Sequence, residues 1–162
     1  MRIAVSSDAH GGLVDAVLAE LARRDHVVKW LGPEPGAELD WPEVTRAAAE
    51  AVARGEADEA IVFCWTGTGA SIAANKVPGI RAALCGDAET ARGARRYNHA
   101  NVLALSIRAT SEPMAREILD AWFAEPWSTD AWNCAQVARI AALDARSSAD
   151  PKDPTDPTDP TG

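Results

Sequence analysis

The chain has 162 residues, 47% of them hydrophobic and 25% charged, which suits one domain with a sizeable core and leaves little room for two. A formal net charge of -8 argues against a nucleic-acid backbone as partner, because neutralising phosphates needs a basic surface. No apolar run approaches the roughly 18 residues of a membrane span and the apolar start is too short for a signal peptide, so a cytoplasmic protein that meets neither membrane nor nucleic acid is expected.

In chain order, Arg2 to Ser6 reads as a buried strand, and Leu13 to Arg24 follows with Leu13, Val17, Leu18 and Leu21 at helical spacing. His26 to Leu31 is a second strand, with His26 itself read as an exposed structural residue. A Pro- and Gly-rich loop over residues 32–40 leads into an alanine-rich helix, Trp41 to Arg54, which Gly55 can stop. Glu59 to Cys64 is the third strand, Ser71 to Asn75 starts a short helix, and Ile80 to Cys85 is the fourth strand. A helix over Ala88 to Arg96, a strand over Asn101 to Ser106, and helices over Glu112 to Ala124 and Thr129 to Arg146 complete the series. This alternation predicts an α/β fold, a three-layer sandwich with a five-stranded parallel sheet and helices on both faces. Ligands of such sheets bind beyond the carboxyl ends of the strands. The domain is expected over 1–146. In 147–162 the repeated Asp-Pro-Thr has nothing apolar to bury and reads as an extended, disordered tail.

The stretch FCWTGTGASIAANK, Phe63 to Lys76, carries the most chemistry. A strand, the turn Thr66-Gly67-Thr68-Gly69 and a helix present backbone N–H groups to an anion, with glycines permitting positive φ and the helix N-terminus adding partial positive charge. Cys64 ends the strand just before those donors. A thiolate there can take a proton from a carbon beside a carbonyl while the turn holds the enediolate. The alternative is an ordinary tight turn beside a small buried hydrophobe, which is how most free cysteines behave. Cys85 reads as core and Cys134 as surface or interface; with no CxxC among the three, neither a disulfide scaffold nor a zinc-thiolate site is expected.

The run CWTGTGASIAANKVPGIRAALC resembles the ribose-5-phosphate isomerase B and galactose-6-phosphate isomerase family. Further pieces match in order: SSDAHG after the first strand, Asp40-Trp41-Pro42, and RRYNHANVLALSIR, so that the similarity covers about residues 1 to 143. The resemblance implies a Rossmann-like fold, a homodimer or dimer of dimers with sites at the subunit interface, and metal-free aldose–ketose isomerisation. It gives Cys64 the proton shuttle between C1 and C2, Thr66, Gly67, Thr68 and Gly69 the enediolate, and Asp8 a contact to the ring or a hydroxyl. Asn98 would lie nearby and Arg108 would be a phosphate contact.

The departures from that pattern concern the substrate. The family's phosphate-contacting histidine matches Ala9, with His10 one residue later, and its ring-opening histidine matches Tyr97, with His99 two residues on. Its two C-terminal arginines match Trp132 and Gln136, and Trp65 replaces a glycine. A neutral amide and an indole cannot replace a charged fork on phosphate. The expected substrate is therefore a sugar other than ribose 5-phosphate, unphosphorylated or bulkier; the rival reading is compensation, with His10 and His99, both placed on the ligand-binding edge, swinging into the vacated places. Asp8, His10 and His99 offer metal donors, but at a spacing common by chance, and no metal or cofactor is expected. A non-catalytic sugar-binding protein or a partner subunit of a hetero-oligomer is the alternative function.

Overall fold

The computed structural model describes residues 1–148, with side chains to residue 144. Five strands, β1 (Arg2–Ser6), β2 (Val27–Trp30), β3 (Glu59–Cys64), β4 (Ala82–Leu84) and β5 (Val102–Ser106), pair in the order β2-β1-β3-β5-β4, all parallel. The helices are α1 (Gly12–Arg23), α2 (Trp41–Ala53), α3 (Thr68–Ala74), α4 (Ala88–Asn98), α5 (Glu112–Ala124) and α6 (Ala131–Ser148). The repeated Asp-Pro-Thr lies outside the described residues. No helix among those described is long and apolar enough to cross a membrane.

The layers follow from side-chain alternation along the three central strands. Ile3, Val5, Ile61, Phe63, Leu103 and Leu105 point to one face, where α1, α4 and α5 cover them with Leu21, Ala94, Ile118 and Trp122. Ala4, Ala60, Val62, Cys64 and Ala104 point to the other, against the alanines of α2 and α3. Small side chains on both sides of that second interface let α2 and α3 lie close to the sheet. Cys85 belongs to the first core, where burial pushes its thiol pKa up to about 12. Cys134 is exposed on α6.

The edge strands are shorter than their apolar runs suggest, because each has only one neighbour to extend its ladder. Ile80 sits in a turn, its N–H on Val77, with Gly79 at φ 82, and β4 begins only at Ala82. His26 is half-buried rather than exposed: its ring lies 4.6 Å from that of Phe123, and burial lowers its pKa. The direction in which strands are added reverses between β1 and β3: β2 lies on one side of β1, and the later strands lie on the other. That switch point opens a crevice at the carboxyl ends of β1 and β3, where open α/β sheets bind their ligands.

Candidate active site

Cys64 is the last residue of β3, with 5% of its surface exposed. Its Sγ accepts the N–H of Ala70 at 3.5 Å, which seats the sulfur beneath the first turn of α3. Neighbouring β5 holds the backbone beside it. Ile107 N–H donates to the Cys64 carbonyl at 3.1 Å, and Arg108 N–H and the Ser106 hydroxyl both donate to the Trp65 carbonyl at 3.0 Å.

The turn is tighter than the sequence suggests. Gly67, at φ 73, is the N-cap, so α3 begins at Thr68 rather than at Ser71, and Ser71 N–H closes the first turn on the Gly67 carbonyl. As the first residues of a helix, Thr68 and Gly69 have N–H groups with no acceptor inside it. The two glycines serve different purposes. Only Gly67 needs positive φ; Gly69 makes room for Trp41, whose ring a Cβ would meet at 3.0 Å. At Gly67 a Cβ would meet Leu84 Cδ1 at 2.5 Å and the Leu105 backbone at 3.0 Å. Gly67→Ala therefore combines backbone strain with overpacking and is expected to cost roughly 2–5 kcal/mol, measured by urea denaturation.

The two residues after Cys64 open onto separate recesses. Trp65, 64% exposed, walls one of about 330 Å³ with Asp8, His10, Glu38, Leu39 and Ile107. Thr66 walls the other, of about 660 Å³, with Cys85, Ser106, Arg108, Thr110 and Met114. Asp8 and His10 follow β1 and reach the first recess directly. The His10 ring lies 4.8 Å from that of Trp30, and its Nδ1 meets Asp15 at 3.2 Å. Trp30 is itself fixed by its Nε1–H on the Pro33 carbonyl at 3.1 Å, in space that a side chain at Gly32 would fill. Glu38 and Leu39 had no expected role. They arrive because the 32–40 loop bridges back, Ala9 pairing with Glu38 and Leu39 N–H donating to the Asp8 carbonyl at 3.0 Å.

Tyr97, Asn98 and His99 are elsewhere in the same chain. Helix α4 runs back from the carboxyl end of β4 and ends at Asn98, just before β5 begins. They therefore lie at the amino edge of the sheet, a strand length or roughly 15 Å from the Cys64 edge. The placement of His99 on the ligand-binding edge is corrected by this. His99 caps α4 at φ 49, pairs its Nε2 with the Ser128 carbonyl at 3.0 Å and stacks on Trp127 at 5.2 Å. Asp8, His10 and His99 cannot gather around one ion within a chain. Asn98 lines a third recess with Asn75, Arg81, Ala82, Ala100 and Ile140, and Tyr97 is exposed beside it. Trp132 is exposed on α6 and Gln136 is half-buried there.

Residues 3–141 match the sequence profile described as Ribose/Galactose Isomerase. The chain belongs to that family. It is 38% identical over 122 residues to ribose-5-phosphate isomerase B of Escherichia coli strain K12, a match spanning 75% of this chain and 82% of that protein. It is 43% identical over 102 residues to the galactose-6-phosphate isomerase subunit LacB of Clostridium acetobutylicum, spanning 63% and 59%. Among solved structures, ribose-5-phosphate isomerase B of Clostridium thermocellum superposes with a TM-score of 0.85 at 38% identity, covering 91% of this chain and 99% of that one. The Rossmann-like α/β architecture is thus the family's, and the chain's site lies within the matched span.

Proposed function

We propose that this member of an isomerase family interconverts an aldose and a ketose, as the free sugar or its phosphate, through a cis-enediolate, with Cys64 as the proton shuttle. The observation that carries the reading is the thiol at the carboxyl end of β3, under the first turn of α3 and beside the sheet's switch point. As the thiolate, Cys64 takes the proton from C2 of the open-chain aldose. The C–H electrons form the C1=C2 bond, and negative charge develops on O1, facing the N–H groups of Thr68 and Gly69 and the Thr66 hydroxyl. Return of the proton to C1 and transfer of the O2 proton to O1 leave the ketose, with no net gain or loss of atoms or electrons. Asp8 contacts a hydroxyl during ring opening, with His10 beside it, and Arg108, in the recess that Thr66 lines, is the contact for a phosphate when the substrate carries one.

The distance between Cys64 and the Tyr97–His99 segment supports a second copy of the chain completing the site. Exposed Trp127, Trp132, Ile140 and Leu143 give such a copy an apolar surface next to that segment. Incubating the full chain in D₂O with free and phosphorylated aldoses tests the chemistry: deuterium at C2 is expected, and no exchange with any sugar overturns the reading. Mixing Cys64→Ser and Asn98→Ala proteins after partial denaturation tests the shared site. Random re-pairing restores about a quarter of the wild-type rate, because half of the dimers carry one intact site. Activity no higher than the sum of the separate variants places both residues on one chain's site.

A further inference from the structure

We infer that the recess between β1 and β3 binds an aldose without its phosphate, with Trp65 as the stacking platform and Asp8 and Glu38 as hydroxyl acceptors. This deepens the isomerase reading and rests on it for the reaction, though not for the binding.

The composition of the wall carries the inference. Four of its side chains, Trp65, Leu39, Ile107 and Ala9, are apolar, and Trp65 keeps 64% of its surface exposed. An indole that open to solvent beside a concave site offers a flat apolar face to the C–H side of a sugar. The wall's acidic side chains are Asp8 and Glu38. Asp8 and Glu38 accept hydrogen bonds from hydroxyls, which a sugar supplies and a phosphate dianion does not. Repulsion between a dianion and two carboxylates across one recess disfavours the ester by at least about tenfold. Among the described residues no Lys or Arg lines the recess, and the one basic side chain there, His10, already has Asp15 at 3.2 Å. Arg108 opens on the other side of the β3 turn, into the recess that Thr66 lines.

The wall is also built rather than incidental. The Ala9–Glu38 bridge and the Leu39-to-Asp8 hydrogen bond hold the backbone of both acidic residues together, and Trp30 packs against the His10 ring at 4.8 Å. An acidic, aromatic-lipped crevice of about 330 Å³ has room for a pentose or hexose.

Titration calorimetry of the full chain, with the free aldopentoses and aldohexoses and with D-ribose 5-phosphate and D-galactose 6-phosphate, tests this. At least one free aldose is expected to bind about tenfold or more tightly than either ester. Trp65→Ala should weaken that aldose about tenfold, and Glu38→Gln should narrow the gap between sugar and ester. Both side chains are exposed, so circular dichroism should show the variants folded. Tighter binding of an ester, no binding of any free aldose at about 50 mM, or a Trp65→Ala protein with unchanged affinity overturns the inference. Binding of a free aldose without exchange at C2 removes the isomerase reading and leaves this one. Exchange with esters alone does the reverse.

Discussion

Cys64→Ser is expected to lower deuterium incorporation at C2 by about 10²- to 10⁴-fold, the usual contribution of a positioned acid–base group. The change is close to isosteric. Ala70 N–H, now 3.5 Å from the sulfur, can donate equally well to a hydroxyl, so the turn should keep its shape. What is lost is the base, because an alcohol holds its proton far more tightly than a thiol. The comparison requires wild type and variant at matched pH, with the exchange rate read by NMR and the fold checked by thermal melting. An exchange rate that survives the substitution removes Cys64 from the mechanism, even if its neighbours still bind the sugar.

The second large effect is on stability, at the opposite edge of the sheet. Glu59, 5% exposed at the start of β3, accepts Trp122 Nε1–H at 2.6 Å and pairs with Arg95 at 2.8 Å. Arg95 in turn donates to the Ala100 carbonyl at 2.6 Å and lies over Trp122 and Trp127, at 5.0 and 5.4 Å from the ring centroids. Burial raises the Glu59 pKa and lowers that of Arg95, although each partner acts on the other in the opposite sense. The pair is therefore held at some cost, and breaking it costs more. Arg95→Met, which leaves a buried carboxylate without its cation, is expected to destabilise by roughly 3–5 kcal/mol in urea denaturation.

The sign of the pH dependence follows from the same burial. A carboxyl whose folded pKa is raised favours folding when protonated, and that contribution fades as pH rises through the folded value. The deficit of Arg95→Met relative to wild type should therefore shrink as pH falls from 7 towards the ordinary glutamate value near 4.3. Replacing Glu59 by Met as well should recover much of the loss, since two apolar side chains of similar volume often substitute for a buried ion pair without penalty. A double variant as unstable as Arg95→Met alone would show that packing, and not charge, is at stake. The network also anchors the end of α4 that carries Tyr97 and Asn98, so the single variant should slow exchange at C2 if a second copy presents those residues.

Several elements were readable because one local rule governed them. The central strands β1 and β3 were placed to the residue, since continuous apolar runs buried on both faces tolerate no other register. The edge strands came out too long, because hydrophobicity marks what is buried and not where a ladder finds its last partner. The start of α3 was missed by three residues for a different reason: Gly67 at φ 73 lets the helix begin at once, and a glycine in a sequence does not declare its φ. His99 was misplaced although the signal was available. An 11-residue helix at 1.5 Å per residue travels about 16 Å, enough to carry the chain back across the sheet to its amino edge.

Chain order and residue type thus specified the α/β layers, the strand-turn-helix with its thiol, and membership in an isomerase family that the whole-chain comparison then showed. Those features arise from contacts within a few residues, or from a periodicity that each segment carries by itself. The walls of the recesses were decided only in three dimensions. Glu38 and Leu39 share a wall with Asp8 and Trp65 because a loop doubles back onto the segment after β1, and Thr66 and Arg108 share a wall because β3 and β5 are neighbours in the sheet. Substrate preference depends on which charges end up across a cavity from one another, and that juxtaposition of distant segments exists only once the sheet has formed.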